Sequence, residues 1–218
     1  GHAPETPPRG ASEGCDIVGG LGGGGTLDGI GNGLDGVPGE RRPLLAGVPI
    51  GFGNDFCHNV GIASGYEQAM QRILTGTPRP IDIGRVTDGD GRSEYWDNTL
   101  GIGFDATVTI YSYQITRLQG FAMYLWAVIQ TIVRNHTAPR MPIQTDEQSL
   151  DEAVLMLTVC NGPREGGGFR VAPAAQVDDG VLDFALISKV SRAMMFRLIP
   201  EVMNGTHGRF RQVRIGRC

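Results

Sequence analysis

DIVGGLGGGGTL, residues 16–27, predicts a buried strand, a glycine turn and the start of a helix. Residues 22–25 have no side chains, so the backbone can turn sharply there and approach a ligand closely. Thr26 is suited to cap a helix whose apolar face consists of Leu27, Ile30 and Leu34. This arrangement directs N–H groups at an anion, usually a phosphate, but a flexible glycine loop without a ligand would account for the glycines equally well.

A second glycine turn, PIGFGNDF at residues 49–56, follows about one strand–helix unit later. Its Asn54 and Asp55 are suited to cap the helix that comes next. Two such turns close together indicate a crevice at the strand ends of an α/β sheet, which is where ligands usually bind.

These turns resemble the signatures of the bacterial diacylglycerol kinase-like lipid kinases, relatives of sphingosine and ceramide kinases. The family's Gly-Gly-Asp-Gly-Thr signature is GGGGT at residues 22–26, and its Gly-Thr-Gly-Asn-Asp-Phe turn is GFGNDF at residues 51–56. The first signature alone would also fit NAD kinases, whose catalytic domain has the same fold. The second turn and the later motifs favour lipid kinases.

Later stretches extend the resemblance to residue 207. NTLGIGFDA at residues 98–106 matches the family pattern Asn-x-x-Gly-x-Gly-Phe-Asp-Ala. NGPREGGGF at 161–169, APAAQVDDGVLD at 172–183 and NGTH at 204–207 resemble three further family elements. The family's opening strand with its Asn-Pro-x-Ser-Gly-like turn and its last strands have no counterpart, so the resemblance implies a chain truncated at both ends.

The expected fold class is an α/β nucleotide-binding domain followed by a mostly antiparallel β domain, the two-domain fold of lipid kinases and NAD kinases, here incomplete. The Pro- and Gly-rich residues 1–14 predict a disordered arm. Residues 15–83 are expected to form the nucleotide-binding domain and residues 84–218 the β-rich domain for the lipid acceptor. The active site is expected in the cleft between them.

Apolar periodicity predicts two prominent helices. Residues 64–74 carry a stripe that indicates core packing: Tyr66, Ala69, Met70, Ile73 and Leu74. Residues 116–134 are apolar nearly all round, which is typical of a core helix or of one that lines an apolar cavity. The resemblance to lipid kinases implies acyl chains as the occupant of such a cavity. DGDG at residues 88–91 predicts a hairpin turn, with metal binding as the alternative.

The resemblance implies ATP and Mg²⁺ as the ligands of this fold. It assigns nucleotide binding to Gly22, Gly23, Gly24, Gly25, Thr26, Gly53, Asn54, Asp55 and Asp82, with Asp55 and Asp82 in a carboxylate–water–Mg²⁺ network. It also implies a structural Mg²⁺ held by the Asp179 side chain and by backbone oxygens of Gln176 and Val181. A hairpin turn is the alternative for the Asp-Gly step at residue 179.

Several positions depart from the family pattern. Gly24 stands where the first signature has aspartate, Asp28 and Gly29 replace the usual Asn-Glu, and Phe52 replaces a threonine. Asp28 lies past the turn, so it is a poor substitute for the missing carboxylate. The family's general base lies in a late Asp-Gly-Glu turn that this chain lacks, so the catalytic residue is unknown.

The function expected from the resemblance is ATP-dependent phosphorylation of a lipid hydroxyl, as in the conversion of diacylglycerol to phosphatidic acid by a transferase of phospholipid biosynthesis. A catalytically impaired nucleotide- or lipid-binding relative is the first alternative, because of Gly24 and the unmatched ends. An NAD kinase-like enzyme, acting on a soluble dinucleotide, is the second.

Composition excludes several other classes. A net charge of −4 leaves no electrostatic footprint for nucleic acid, and the dispersed cysteines argue against a zinc site. The most apolar run, residues 121–133, is shorter than the roughly 20 residues of a membrane span. With no signal peptide in its first residues, the chain is expected to be cytoplasmic, with peripheral membrane contact and a homodimer both left open.

Overall fold

The structure, a computed structural model, describes residues 6–51, 53–62 and 65–218. Its contacts divide the chain into two compact units, unit 1 up to Asn98 and unit 2 from Thr99 onward. The sequence placed this boundary after Ile83. Phe52 and the expected helix start at Ser64 lie outside the described residues.

Unit 1 has α/β character. Its elements are α1 (Thr6–Ser12), β1 (Ile17–Gly22), α2 (Gly24–Asp35), a 3-10 turn (Gly39–Arg41), β2 (Leu44–Pro49), α3 (Asp55–Asn59), α4 (Tyr66–Thr75), β3 (Gly84–Thr87) and β4 (Ser93–Trp96). β1 and β2 pair in parallel, and β3 and β4 form an antiparallel hairpin. The expected α/β class of this unit is confirmed.

Two local predictions for unit 1 differ from the structure. Part of the expected disordered arm is helix α1, whose Ala11 packs against the cluster that contains Val18 and Ile30. In the predicted stripe of α4 only Ala69 is buried, while Tyr66 is 58% and Leu74 is 80% exposed. Within unit 1, α4 contacts chiefly β2, which is too narrow a surface to cover a whole stripe.

Helix α2 packs on the parallel strands through the predicted apolar residues Leu27, Ile30 and Leu34, all of which are buried. The predicted N-cap is wrong, because α2 begins at Gly24 with Gly23 at the N-cap and no side-chain cap. Thr26 lies inside the first turn instead. Its side chain fills the space where a Cβ on Gly22 would stand, so it faces strand β1 rather than the helix end.

The two glycine turns lie at the carboxyl ends of the two parallel strands, because Gly22 at the end of β1 is the register partner of Pro49 at the end of β2. A Cβ added to Gly51 would lie 2.5 Å from the N and Cα atoms of Gly23, so the two backbones touch with no room for a side chain. Asn54 closes the second turn from the left-handed region, at φ 53°. Its side chain accepts a hydrogen bond from the Gly51 N–H and donates one to the Gly51 carbonyl, both at 2.8 Å.

Asn54 therefore stands at the N-cap position of α3 without a side-chain hydrogen bond to that helix. Its amide group is used to hold the turn closed.

The hairpin of β3 and β4 confirms the predicted turn at residues 88–91. The Asp88 carboxylate accepts hydrogen bonds from the backbone N–H groups of Asp90 and Arg92, both at 2.9 Å. It also accepts one from the Arg92 guanidinium at 2.7 Å. These bonds are turn chemistry, the interpretation that the sequence favoured over metal binding.

Three hydrogen bonds tie this hairpin to α2 and explain why it belongs to unit 1. The Asn32 side chain accepts from the Tyr95 N–H and donates to the Tyr95 carbonyl, both at 2.7 Å. The Asp28 carboxylate accepts from the Asp97 N–H at 2.9 Å. Burial and the negative charge of the neighbouring Asp28 raise the pKa of Asp97 to about 9. Burial raises the pKa of Asp28 as well.

Unit 2 is a mostly antiparallel sheet, as expected, and it carries three helices. Its elements are β5 (Thr99–Gly103), α5 (Phe104–Ser112), α6 (Gly120–Arg134), β6 (Arg140–Gln144), β7 (Ser149–Cys160), β8 (Asp183–Ser188), α7 (Arg192–Asn204), a 3-10 turn (His207–Arg209) and β9 (Val213–Arg217). The strand order is β5-β7-β8-β9, and β6 pairs with the first half of β7. The sequence did not predict α5.

The main core of unit 2 joins the three helices to the sheet. Its buried members include Val108, Ala127, Val128, Ile132, Leu155, Met156, Ala185, Ile187, Met195, Leu198 and Val202. A smaller cluster is formed by Phe184 and Leu186, which alternate along β8 with residues of the main core, and by Val154 and Leu157 of β7, between which the strand register shifts. Among the described residues no helix is both long and apolar enough to cross a bilayer, and α6 has 15 residues.

The contact between the glycine turns predicts that G51A lowers the free energy of unfolding by about 1–3 kcal/mol, because its Cβ would force two backbones apart. G24A is the matched control, since a Cβ at Gly24 meets nothing within 4 Å. Chemical denaturation of the two variants and the unchanged chain measures the difference. Equal stability of G51A and G24A would contradict the contact.

The buried Asp97 predicts a pH-dependent gain for D97N. An acid whose folded pKa lies above its unfolded value holds a proton more tightly when folded, so stability falls as pH rises from about 4 toward about 9. D97N removes this loss, and its advantage should grow between pH 5 and 8 by up to about 1.4 kcal/mol per pH unit. D90N, at an exposed site on the same hairpin, should show no such growth in thermal unfolding.

Candidate functional site

The N-terminus of α2 forms an open cradle for an anion. The Gly23 carbonyl accepts hydrogen bonds from the N–H groups of Thr26 and Leu27. The N–H groups of Gly24 and Gly25 have no such bond to any described residue, and a Cβ on either glycine would meet nothing within 4 Å. A helix N-terminus with free N–H groups and open space suits a phosphate, so these residues fit the phosphates of ATP.

The second turn supplies the other predicted nucleotide residues of this region. Gly53 and Asn54 are half-buried, and Asp55 is buried in the first turn of α3. The Asn54 amide is bonded to Gly51, whose backbone lies against that of Gly23. Asp82 lies on the segment before β3 and is half-buried.

The described residues contain no cluster of three or more histidine, cysteine or acidic side chains suited to a metal ion. Asp28 does not replace the carboxylate missing at Gly24, because its oxygen accepts from the Asp97 N–H. Burial and the nearby Asp97 raise the pKa of Cys57 to about 11, so this thiol stays protonated near neutral pH. The residues around the first turn therefore offer hydrogen-bond donors to a nucleotide and no ready carboxylate site for its metal.

The residues expected to hold a structural Mg²⁺ do not fit a divalent ion. One Asp179 oxygen accepts from the Val181 N–H at 3.2 Å, and the other lies 3.5 Å from the Arg217 guanidinium. Gln176 is exposed, and Gly180 has a φ of 74°. The first bond and the left-handed glycine form an Asx-type turn, in agreement with the turn interpretation of this step.

Unit 2 contains an apolar cavity of about 70 Å³ beneath its helices. Side chains from α5, α6, β7 and α7 line it, among them Val108, Val128, Ile132, Leu155, Leu198 and Val202. Its polar lining comes from Asp105, Tyr124 and Glu165. Ordinary core and acyl pocket were the two interpretations of α6, and its residues contribute to both the core and the cavity wall.

A hydrogen-bonded group marks the polar part of this cavity. The Tyr124 hydroxyl lies 3.1 Å from an Asp105 oxygen and 3.4 Å from a Glu165 oxygen, and Thr158 donates to Asp105 at 2.9 Å. Burial and the two acids raise the pKa of Tyr124, so the phenol remains a donor. Sequence analysis missed this group because its members are far apart along the chain, and Tyr124 counted there only as an apolar residue.

His207, the last residue of the matched motifs, is structural. It is fully buried, and its Nε2 lies 3.0 Å from the Val171 carbonyl. Burial lowers the pKa of its imidazole, which favours the neutral ring. It therefore fastens the segment after α7 to the core of unit 2.

Two family models match the chain. The diacylglycerol kinase catalytic domain matches residues 2–86, and the YegS C-terminal NAD kinase beta sandwich-like domain matches residues 98–218. These ranges follow the two compact units, apart from the hairpin that unit 1 retains.

Curated relatives agree with these models. The chain is 26% identical over 183 residues to a diacylglycerol kinase of Mycobacterium tuberculosis, covering 80% of this chain and 59% of that protein. It is 30% identical over 186 residues to a probable lipid kinase YegS-like protein of Chromohalobacter salexigens, covering 84% and 58%. The chain thus spans about three fifths of the length of these relatives.

A solved structure supports the fold. The crystal structure of a diacylglycerol kinase from Bacillus anthracis superposes with a TM-score of 0.70 at 23% identity, covering 99% of this chain and 68% of that one. Since the YegS-type model alone matches more than half of the chain and the catalytic-domain model contains both glycine turns, the chain belongs to the diacylglycerol kinase and YegS-like lipid kinase family.

Proposed function

We propose that this chain transfers the γ-phosphoryl group of ATP to the hydroxyl of a lipid, with diacylglycerol as acceptor and phosphatidic acid as product. The observation that carries the proposal is the anion cradle at α2, where the Gly23 and Gly51 backbones touch and the first N–H groups of the helix are open. Family membership makes a nucleotide the natural occupant of that cradle.

Phosphoryl transfer depends on positioning and on stabilising the charge of the phosphates. The N–H groups of Gly24 and Gly25 would hold a phosphate at the positive end of α2, and the closed Asn54 turn would limit its movement on the other side. Asp55 and Asp82 are our candidates for positioning the Mg²⁺ that accompanies ATP. ATP would supply the transferred phosphoryl group.

The cavity of unit 2 supports a lipid acceptor. Its wall is mostly apolar, while Asp105, Tyr124 and Glu165 offer acceptors and a donor to one hydroxyl-bearing head. Its volume of about 70 Å³ is small for an acyl chain. We therefore expect side chains of α6 and α7 to move apart when the acceptor enters.

Gly24 favours a second candidate function, binding of nucleotide or lipid with little or no turnover. A carboxylate that the family signature carries is missing there, and none of the described groups near the turn replaces it. The same position allows a direct test, because the space around a Cβ at Gly24 is open.

We predict that the unchanged chain transfers labelled γ-phosphate to diacylglycerol slowly and that G24D does so at least ~10-fold faster, since the added carboxylate would help to position the Mg²⁺ that stabilises the charge of the transferring phosphoryl group. G24A, which adds the Cβ without the charge, should match the unchanged chain. The assay uses mixed micelles with Mg²⁺, and each protein is checked for folding by thermal unfolding.

Three outcomes would decide against this mechanism. Folded G24D and unchanged chain that both bind ATP but label no lipid would leave a binding protein. Label transferred to NAD in place of lipid would select the NAD kinase alternative. A fast unchanged chain with no gain in G24D would show that the missing carboxylate is dispensable.

The cavity predicts a separate effect on the acceptor. V128F places a ring in the cavity and should raise the KM for diacylglycerol at least ~10-fold or abolish transfer to it, while ATP affinity stays unchanged. V133F is the matched control, because Val133 lies on the same helix and is 61% exposed. Steady-state kinetics and calorimetric ATP titration give the two readouts. Equal KM values for V128F and V133F would place the acceptor elsewhere.

A further inference from the structure

The turn before β8 and the end of β9 bring two acids and one arginine together in unit 2. Asp183 is 3% exposed, and its Oδ2 has no hydrogen-bond partner among the described residues. Asp179 stands one turn earlier, with both oxygens engaged by the Val181 N–H and by Arg217. A buried carboxylate beside a second one requires a positive charge or a proton close by.

Strand pairing places Arg217 where that charge is needed. β8 and β9 are antiparallel, and their register sets Arg217 directly opposite Asp183. The Cys218 N–H donates to the Leu182 carbonyl at 2.8 Å, so the pairing continues past the arginine. The position of Arg217 is thus set by backbone hydrogen bonds and not by the acids alone.

The guanidinium reaches both carboxylates. Its Nη2 lies 3.5 Å from Asp179 Oδ2, and its Nε lies 4.0 Å from Asp183 Oδ1. A divalent ion on Asp179 would have to displace this group or sit beside a like charge. The other carboxylate oxygen of Asp179, Oδ1, already accepts the hydrogen bond from the Val181 N–H in the Asx-type turn.

We propose that Arg217 is the built-in cation of this turn: its guanidinium does the work of a structural divalent ion, and the segment 176–183 folds without Mg²⁺. The inference is independent of the proposed kinase activity, since it concerns only how unit 2 neutralises Asp179 and Asp183. It replaces the expectation that Gln176, Asp179 and Val181 hold a metal.

Thermal unfolding of the 218-residue chain in EDTA and in millimolar MgCl₂ tests the proposal. The unchanged chain should have the same Tm in both buffers. R217Q should unfold about 3 °C lower in EDTA, the shift typical of losing about one kcal/mol in a chain of this size, and should recover in MgCl₂ as the ion takes the vacated place.

Two further variants separate charge from packing. R214Q removes an arginine from the same strand, where Arg214 pairs with Glu152, so it should lose stability in a way that MgCl₂ does not restore. D183N/R217Q removes the buried charge together with its partner. In EDTA it should therefore regain the Tm that R217Q alone loses.

Any one of three results would overturn the proposal. The Tm of the unchanged chain could fall in EDTA or rise in MgCl₂ while the Tm of D179N does not respond, which would place a divalent ion at the turn despite Arg217. R217Q could unfold at the same temperature as the unchanged chain in EDTA. R217Q could also lose Tm without recovery in MgCl₂, which would show that an ion cannot replace the guanidinium.

Discussion

The contact between the Gly23 and Gly51 backbones is the constraint on which unit 1 depends. The parallel pairing brings the two turns together at the carboxyl ends of β1 and β2. Only glycines allow the two backbones to touch there, because they have no Cβ. The helix that starts at this contact is rich in glycine, and each glycine lowers the stability of a helix by up to ~1 kcal/mol relative to alanine. Its stability therefore comes from burial of Leu27, Ile30 and Leu34 and from the hydrogen bonds of Asn32 to the hairpin.

Buried carboxyl groups are the second constraint on the structure, and each is stabilised by a different kind of partner. Asp97 lies against Asp28, and the raised pKa means that the pair keeps a proton near neutral pH. Asp105 accepts from the hydroxyls of Tyr124 and Thr158. Asp183 faces an arginine from the neighbouring strand. Proton, hydrogen-bond donor and opposite charge are the three ways to lower the cost of burying a carboxylate.

These two constraints meet in the proposed function. A phosphate cradle needs open N–H groups at α2, and the glycines provide them without help from a charged side chain. The cavity proposed for the acceptor has an apolar wall with a few polar groups around Tyr124. The weak point of the chemistry is Gly24, where the structure leaves space for a carboxylate that the chain does not have.

The sequence by itself determined the features that depend on neighbouring residues. The glycine turns, the stripe of α2 and the hairpin turn at Asp88 follow from local spacing and turn chemistry. The order of α/β unit and antiparallel unit came from the resemblance of the motifs to the family. The matched motifs indicated the family, and they identified the candidate nucleotide residues, whose role remains a prediction.

Only the tertiary structure decided the partners of polar side chains. Thr26 faces a strand, Asn54 closes its own turn, and Asp97, Tyr124 and Arg217 acquire their roles from residues distant in the chain. Periodicity and motif spacing describe which residues share a face or a turn. They contain no information on which distant group stands opposite, because that is set by strand register and by how helices pack on the sheet.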